Sequence, residues 1–352
     1  MDYFHANPRP ASLDQHLAQA SAFIQRHVRE HRRVAVVTSG GTTVPLENQT
    51  VRFIDNFSAG TRGATSAEYL LEHDYAVIFL HRHFSLLPYS RHYSHSTNCF
   101  LDYMTLDPAG HVVVDAAYSR PMAAVLAKYQ RARDRHTLLV LPFTTVHDYL
   151  WHLRELAVLV RPCGPSTLFY LAAAVSDFFV PASRMVEHKI QSSAQFHSAV
   201  PTTTTTTDDN TPRPPAAHME DTRLIIDLDP VPKFLKVLVD RWAPQAMIVS
   251  FKLETDPALL ADKARAALHK YAHHLVIGNL LHSRKWEVLF VAPGASDRWL
   301  RVPPPPHPRT QSFPGGKEGG GDAEATVEIE SCIVPEVIAM HSAMIEHGDP
   351  RR

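Results

Sequence analysis

Short apolar runs alternate with amphipathic stretches along most of this chain, and that alternation restricts it to a narrow set of folds. "VAVVT" (34–38) is continuous and β-branched, as a strand covered on both faces must be. Similar runs recur at "AVIFL" (76–80), "LLVLP" (138–142), "LFYLAAA" (168–174), "MIVSF" (247–251), "LVIG" (275–278) and "VLFV" (288–291). Helical periodicity lies between them at 61–73, 120–133, 144–159 and 257–272. Ahead of the first strand, "SLDQHLAQASAFIQRHVREHRR" sets Leu13, Leu17, Ile24 and Val28 on one helical face, with Ser12 and Gln15 spaced to cap it. Strand and helix in repetition predict an α/β, Rossmann-like, doubly wound and mainly parallel sheet with helices on both faces.

Two segments depart from the pattern. Residues 194–220 hold six consecutive threonines (202–207), and residues 293–323 hold "PPPPHP" and "GGKEGGG". Neither buries enough apolar area to offset its backbone entropy, so both are expected to be disordered insertions within one domain spanning 1–352. That domain is expected to close with "VEIE" and a last amphipathic helix after Pro335.

Charge is nearly balanced, 35 basic against 36 acidic residues, so no global field recruits nucleic acid or an anionic membrane. A polyanionic ligand then needs a local site. Cys99, Cys163 and Cys332 are odd in number and far apart, which argues against a disulfide framework and points to a reducing compartment, the cytosol. No run reaches the roughly 18 apolar residues of a membrane span. The 23 histidines show no metal-ligand spacing and are expected on the surface.

The first strand ends in "TSGGTTVPLE", abandoning side chains at Gly40 and Gly41. In a doubly wound sheet, ligands sit at such strand ends, where backbone N–H groups and helix N-termini face a common crevice. A dinucleotide fingerprint is missing, since no G-x-G-x-x-G occurs. Arg82, in "HRH" after the second strand, keeps an NADP-dependent oxidoreductase as one alternative, the other being a non-catalytic regulatory protein that retains the fold. A second glycine-rich stretch, "RFIDNFSAGTRGATSAEYLLE" (52–72), runs Ser58, Gly60 and Gly63 directly into an Ala-rich helix whose early amides lack partners. Two such turns at one crevice suit a triphosphate with Mg²⁺ offsetting part of its charge. Tight turns and close helix–sheet packing would also account for the glycines. Further on, "YLAAAVSDFFVPASRMVEHKIQSS" leaves space at Ala173 and Ala174, offers Asp177 at the turn and puts Lys189 on a loop able to fold over the crevice.

Together "VTSGGTTVPLE", "VRFIDNFSAGTRGATSAEYLL", "LAAAVSDFFVP", "EHKIQSS", "WAPQAMIVSFKLETDP" and "VIGNLL", in this order, resemble phosphopantothenoylcysteine synthetase (phosphopantothenate–cysteine ligase) of the free-standing eukaryotic type. The resemblance covers the chain from about residue 10 onward, except the two insertions and a poorly matched stretch around 92–140. It implies a ligase of coenzyme A biosynthesis. There the carboxylate of 4′-phosphopantothenate attacks the α-phosphate of a nucleoside triphosphate, ATP or CTP with Mg²⁺, and L-cysteine then takes the acyl group. It further implies that Gly40, Gly41, Ser58, Gly60 and Gly63 line the triphosphate, with Phe251 and Asn279 toward the nucleoside. Asn56, Ala173, Ala174 and Asp177 would hold the pantothenate side, Asn56, Asp177 and Lys189 would act in catalysis, and Arg52 would bind the phosphate end by reaching into a partner's site in a homodimer. Asn56 as a turn residue, Asp177 as a cap, Phe251 as core and Arg52 in a surface ion pair are the structural alternatives.

Overall fold

The computed structural model describes residues 3–94, 99–191, 215–220, 223–303 and 327–351. Its central sheet has eight strands, here β1 (Val34–Ser39), β2 (Ala76–Arg82), β3 (Leu138–Phe143), β4 (Thr167–Leu171), β5 (Met247–Glu254), β6 (Leu275–Leu280), β7 (Glu287–Val291) and β8 (Arg298–Arg301). Their spatial order is β8-β7-β6-β5-β4-β1-β2-β3. β1 pairs in parallel with β2 (Val34 opposite Ala76) and with β4 (Val34 opposite Thr167). β4, β5 and β6 continue in parallel, β3 flanks β2 in parallel, and β7 and β8 turn back antiparallel. Reading from β3 to β6 gives the 3-2-1-4-5-6 order of dinucleotide-binding sheets, with the winding reversing between β1 and β4. The expected doubly wound α/β architecture is present.

Successive strand residues face opposite sides. Val34, Val36, Ile78, Leu141, Phe169 and Ile248 bury under helices α1 (Leu13–Arg29) and, later in the chain, Val146–Leu159. Ala35, Val37, Val77, Phe79, Tyr170 and Ile277 bury on the other side under α2 (Thr61–Glu72) and the terminal helix Glu330–His347. The connection Val146–Leu159 starts where it does because of a reciprocal cap: Asp148 N–H donates to the Thr145 hydroxyl (3.1 Å) and Thr145 N–H donates to the Asp148 carboxylate (3.0 Å).

Several expectations need correction. Ser12 makes no side-chain cap bond and has helical dihedrals itself, so the Ser12/Gln15 box does not form. The strand expected over 168–174 stops at Leu171, where the alanines turn off toward β1. The last helix does not wait for Pro335: it starts at Glu330, the end of "VEIE", and carries Pro335 inside it. Burial of Ile329, Ile333 and Val334 offsets the hydrogen bond that the proline removes. The second insertion was bounded too early, since Arg298–Arg301 pairs with β7. The first was bounded too late, since 217–220 pairs antiparallel with 223–226. The threonine run and residues 304–323 lie outside the described residues. The histidines are not confined to the surface: His27, His81, His152, His273, His274 and His341 are buried. A neutral imidazole packs as a flat ring and satisfies one or two hydrogen bonds, as when His341 lies between the Tyr75 hydroxyl and the Pro165 carbonyl (2.8 Å each). Burial drives its pKa down to about 4 and that of His274 to about 3.

Candidate active site at the reversal of the sheet

The chain leaves β1 and β4 side by side at their carboxyl ends, where the winding reverses. Gly40 has φ +81°, a conformation that favours glycine. Ala174 N–H donates to the Gly40 carbonyl (2.8 Å) and Thr42 N–H to the Ala174 carbonyl (3.0 Å). Ala173 N–H reaches the Thr38 hydroxyl (3.2 Å). Gly40, Gly41, Ala173 and Ala174 therefore form one laced floor.

The second glycine turn docks onto this floor. Asn56 N–H donates to the Thr42 carbonyl (3.1 Å), and the Ser39 hydroxyl donates to the Gly60 carbonyl (2.9 Å). A Cβ on Gly41 would sit 1.6 Å from the Asn56 carbonyl oxygen, and one on Gly63 would sit 2.5 Å from the Ser39 Oγ. What crowds these glycines is thus the protein itself. The missing side chains let two turns interlock, and the interlocking is what gathers Gly40, Gly41, Ser58, Gly60 and Gly63 at one place. Gly60 is also the N-cap of α2 and provides no side-chain acceptor, which leaves the first amides of that helix beside the end of β1 as anion donors.

Asn56 is half-buried, and among the described residues its side-chain amide has no partner. Asp177 is exposed and does not cap its turn; that role falls to Ser176, whose hydroxyl accepts from Phe178 N–H (3.3 Å). Phe251 and Asn279 come from the carboxyl ends of neighbouring β5 and β6. Phe251 is half-buried, with its edge against Tyr170 (centroids 5.1 Å apart), and Asn279 is 6% exposed. Lys252 pairs with Glu254 and Asp256 caps the following helix, as expected of a strand end and a cap.

Arg52 and Lys189 share a setting that the sequence did not suggest. Glu47, fully buried, accepts from Arg52 Nη1 (3.0 Å), from Arg52 N–H (2.9 Å) and from Ile190 N–H (3.4 Å). Arg52 Nη1 also donates to the Ile190 carbonyl (3.0 Å). Segment 186–190, with exposed Lys189 on it, is held alongside 47–49 and is not a loop closing freely over the crevice. Two further residues join the site without having been expected. Arg62, in the first turn of α2, pairs with buried Glu330 (2.7 Å) and places its guanidinium 6.0 Å from the centroid of Phe251. Burial pushes the Glu330 carboxyl up, partly countered by Arg62. Arg62 lies inside the glycine stretch and was legible there as a cation near a helix N-terminus; Glu330 carried no local signal. Arg82, the residue behind the NADP alternative, is paired with Asp55 (2.5 Å).

No family model matches the chain. Among individual proteins, it is 47% identical over 350 residues to phosphopantothenate–cysteine ligase CAB2 of Saccharomyces cerevisiae, covering 98% of this chain and 87% of the yeast protein. It is 38% identical to phosphopantothenate–cysteine ligase of Homo sapiens, covering 98% of each. A solved structure of a Cab2 point mutant in complex with phosphopantothenate-cysteine superposes with a TM-score of 0.80 at 44% identity, over 98% of both chains. Likeness of this degree from end to end, around a sheet whose two glycine turns interlock at its reversal point, means that the chain belongs to the phosphopantothenate–cysteine ligase family.

Proposed function

We propose that the protein joins 4′-phosphopantothenate to L-cysteine by way of an acyl-nucleotide, as a step of coenzyme A biosynthesis. The observation that supports this reading most directly is the convergence of the turns at Gly41 and Asn56, in a chain of this family. A carboxylate is a poor acyl donor. Its oxygen attacks the α-phosphorus of a nucleoside triphosphate, a P–O bond breaks and pyrophosphate leaves. The cysteine amine then attacks the acyl carbon, the C–O bond breaks, a proton is lost and nucleoside monophosphate departs. Backbone amides at Gly40, Gly41, Ser58, Gly60 and Gly63 meet the phosphates, and Phe251 and Asn279 meet the nucleoside. Ala173, Ala174 and Asp177 border the pantothenate, while Asn56 donates to the acyl-nucleotide. Lys189 stabilises the phosphorus as pyrophosphate departs. Among the described residues no cluster of three or more His, Cys, Asp or Glu could hold a metal, so Mg²⁺ would arrive on the triphosphate, held mainly by phosphate oxygens and water.

We take ATP to be the nucleotide, with CTP the other candidate, and the cytosol to be the compartment; among the described residues no helix is long and apolar enough to cross a membrane. The enzyme mixed with phosphopantothenate, cysteine and each of ATP, CTP, GTP and UTP should release pyrophosphate fastest with ATP. Heat protection by ATP with Mg²⁺, and none by NADPH, is the matching binding result; the converse pattern would sink the ligase reading. A homodimer in which Arg52 serves the partner's site is part of the proposal. Arg52 uses only Nη1 within its own chain among the described residues, which leaves Nε and Nη2 for a phosphate. Sedimentation should give twice the 39.4 kDa chain mass. In mixed dimers of Arg52→Ala and Asn56→Asp chains, one competent site should re-form and activity partly return. Monomer alone, or no recovery on mixing, would remove the shared site.

A further inference from the structure

Glu47 is the end of the "TTVPLE" stretch and the least expected charge in the protein: a carboxylate with 0% side-chain exposure beside the site. Burying an ionised group is costly unless it is paired and hydrogen-bonded. Here the cost is met by four donors from two distant segments: the amides of Val51 (3.2 Å), Arg52 (2.9 Å) and Ile190 (3.4 Å), and the Arg52 guanidinium (3.0 Å). Burial by itself would raise the Glu47 pKa, yet the Arg52 and other hydrogen bonds bring it below the ordinary glutamate value, so the group is an anion at neutral pH. The same guanidinium nitrogen closes a triangle by donating to the Ile190 carbonyl. Around it, Asn48 N–H donates to the Val186 carbonyl (2.9 Å) and Gln49 N–H to the Glu187 carbonyl (3.0 Å), while the Glu187 carboxylate receives the Asn48 amide.

The arrangement has a direct consequence for two cations that serve no other partner in the proposed reaction. Arg52 is oriented by Glu47. Lys189 is next to Ile190, whose amide and carbonyl are both tied to the Glu47–Arg52 pair. A lone buried anion needing one counter-ion would have been satisfied by Arg52; this one also fixes the backbone of a segment more than 130 residues away in sequence.

We propose that Glu47 is a positioning residue that locks Arg52 and the Lys189 segment into one rigid unit, so that the phosphate-binding cation offered to the partner's site and the pyrophosphate-stabilising cation are both held in place by one buried anion. This rests on the roles given above to Arg52 and Lys189, and it adds a coupling between them. Glu47 touches neither substrate nor nucleotide in it.

Glu47→Gln keeps size and one acceptor but removes the charge; Glu47→Asp keeps the charge and retracts it by one methylene. Hydrogen exchange should show faster exchange of the Asn48, Gln49 and Ile190 amides in Glu47→Gln, by about tenfold or more, with the β1, β4 and β5 amides unchanged as evidence of an intact fold. The rate of pyrophosphate release should fall and KM for phosphopantothenate should rise, each by about tenfold, since a displacement of around 1 Å can cost as much as 10²-fold. Glu47→Asp should recover part of both. In the Glu47→Gln, Lys189→Ala double variant the loss in kcat should be no greater than in Lys189→Ala alone, because Glu47 acts on that step through Lys189. Unchanged exchange of these amides, or losses in kcat that multiply in the double variant, would overturn the proposal. If Lys189→Ala and Arg52→Ala were themselves fully active, the roles assigned to those cations would fail, whereas the exchange result would still decide whether Glu47 holds the segment. With the protection of these amides lost and those roles refuted, the locking would stand as structural and the catalytic coupling would be overturned.

Discussion

Gly41→Ala is expected to reduce product formation by at least about 10²-fold, although it adds a single methyl group, because catalytic groups misplaced by around 1 Å lose rate on that scale. The ideal Cβ falls 1.6 Å from the Asn56 carbonyl oxygen and 2.8 Å from the carbonyl carbon, both backbone atoms with no rotamer to move into. The second turn must therefore retreat by more than an ångström from the first. Its retreat draws Asn56, Ser58 and Gly60 away from the floor made by Gly40 and Ala174. Overpacking of this kind costs about 1–3 kcal/mol, which a chain of this size can lose and remain folded. Gly110→Ala is the control for strain without crowding: unlike Gly41, Gly110 has a left-handed φ, +82°, but its Cβ would meet nothing within 4 Å. It should pay the backbone strain, of order 1 kcal/mol, and keep full activity. Steady-state pyrophosphate release together with thermal midpoints measures both variants. Equal activity of Gly41→Ala and wild type would mean that the interlocked turns do not form the catalytic centre.

The same contact shows where reading a sequence for function stops. The alternation of runs such as "VAVVT" and "AVIFL" was enough for the doubly wound sheet, because periodicity is a local property and burial on both faces leaves a continuous apolar run. The glycines were legible as positions intolerant of a side chain, but not what excluded it. A ligand and another loop demand the same residue, and only the register of two segments fifteen residues apart tells them apart. Lys189 was legible as a polar cation near the site, whereas the attachment of its neighbour Ile190 to Glu47 spans 143 positions and has no periodic trace. Arg62 and Glu330 are separated by 268 residues. Ser12 failed as a cap for a smaller reason: it precedes the helix but has helical dihedrals, φ −80° and ψ −11°, instead of the extended ones from which a cap side chain reaches back to the free N–H groups. Pro335 misled because a proline usually marks a helix boundary, and here core burial of its neighbours outweighs the missing bond.

Asn56→Asp should fold normally and lose about 10²–10³ in turnover, the usual cost of removing one preorganised donor to a developing negative charge. The backbone of Asn56 is fixed at both ends of its peptide: its N–H is bonded to Thr42 and its carbonyl is wedged against Gly41. The side chain is half-buried, and its amide has no protein partner among the described residues, so the substitution breaks no internal hydrogen bond and the fold has little reason to respond. The chemistry has every reason to. The amide donates N–H groups and carries no charge; a carboxylate accepts only, and it would face a triphosphate and an acyl phosphate in a partly desolvated place. The sign of the pH dependence separates this account from simple steric damage. The introduced carboxyl, near anionic substrate and short of water, should have a raised pKa. Below that pKa it is neutral and again holds a donor, so the residual activity of Asn56→Asp relative to wild type should rise as pH is lowered and fall as pH is raised. A ratio independent of pH would point to displaced geometry, and turnover equal to wild type would take Asn56 out of the mechanism.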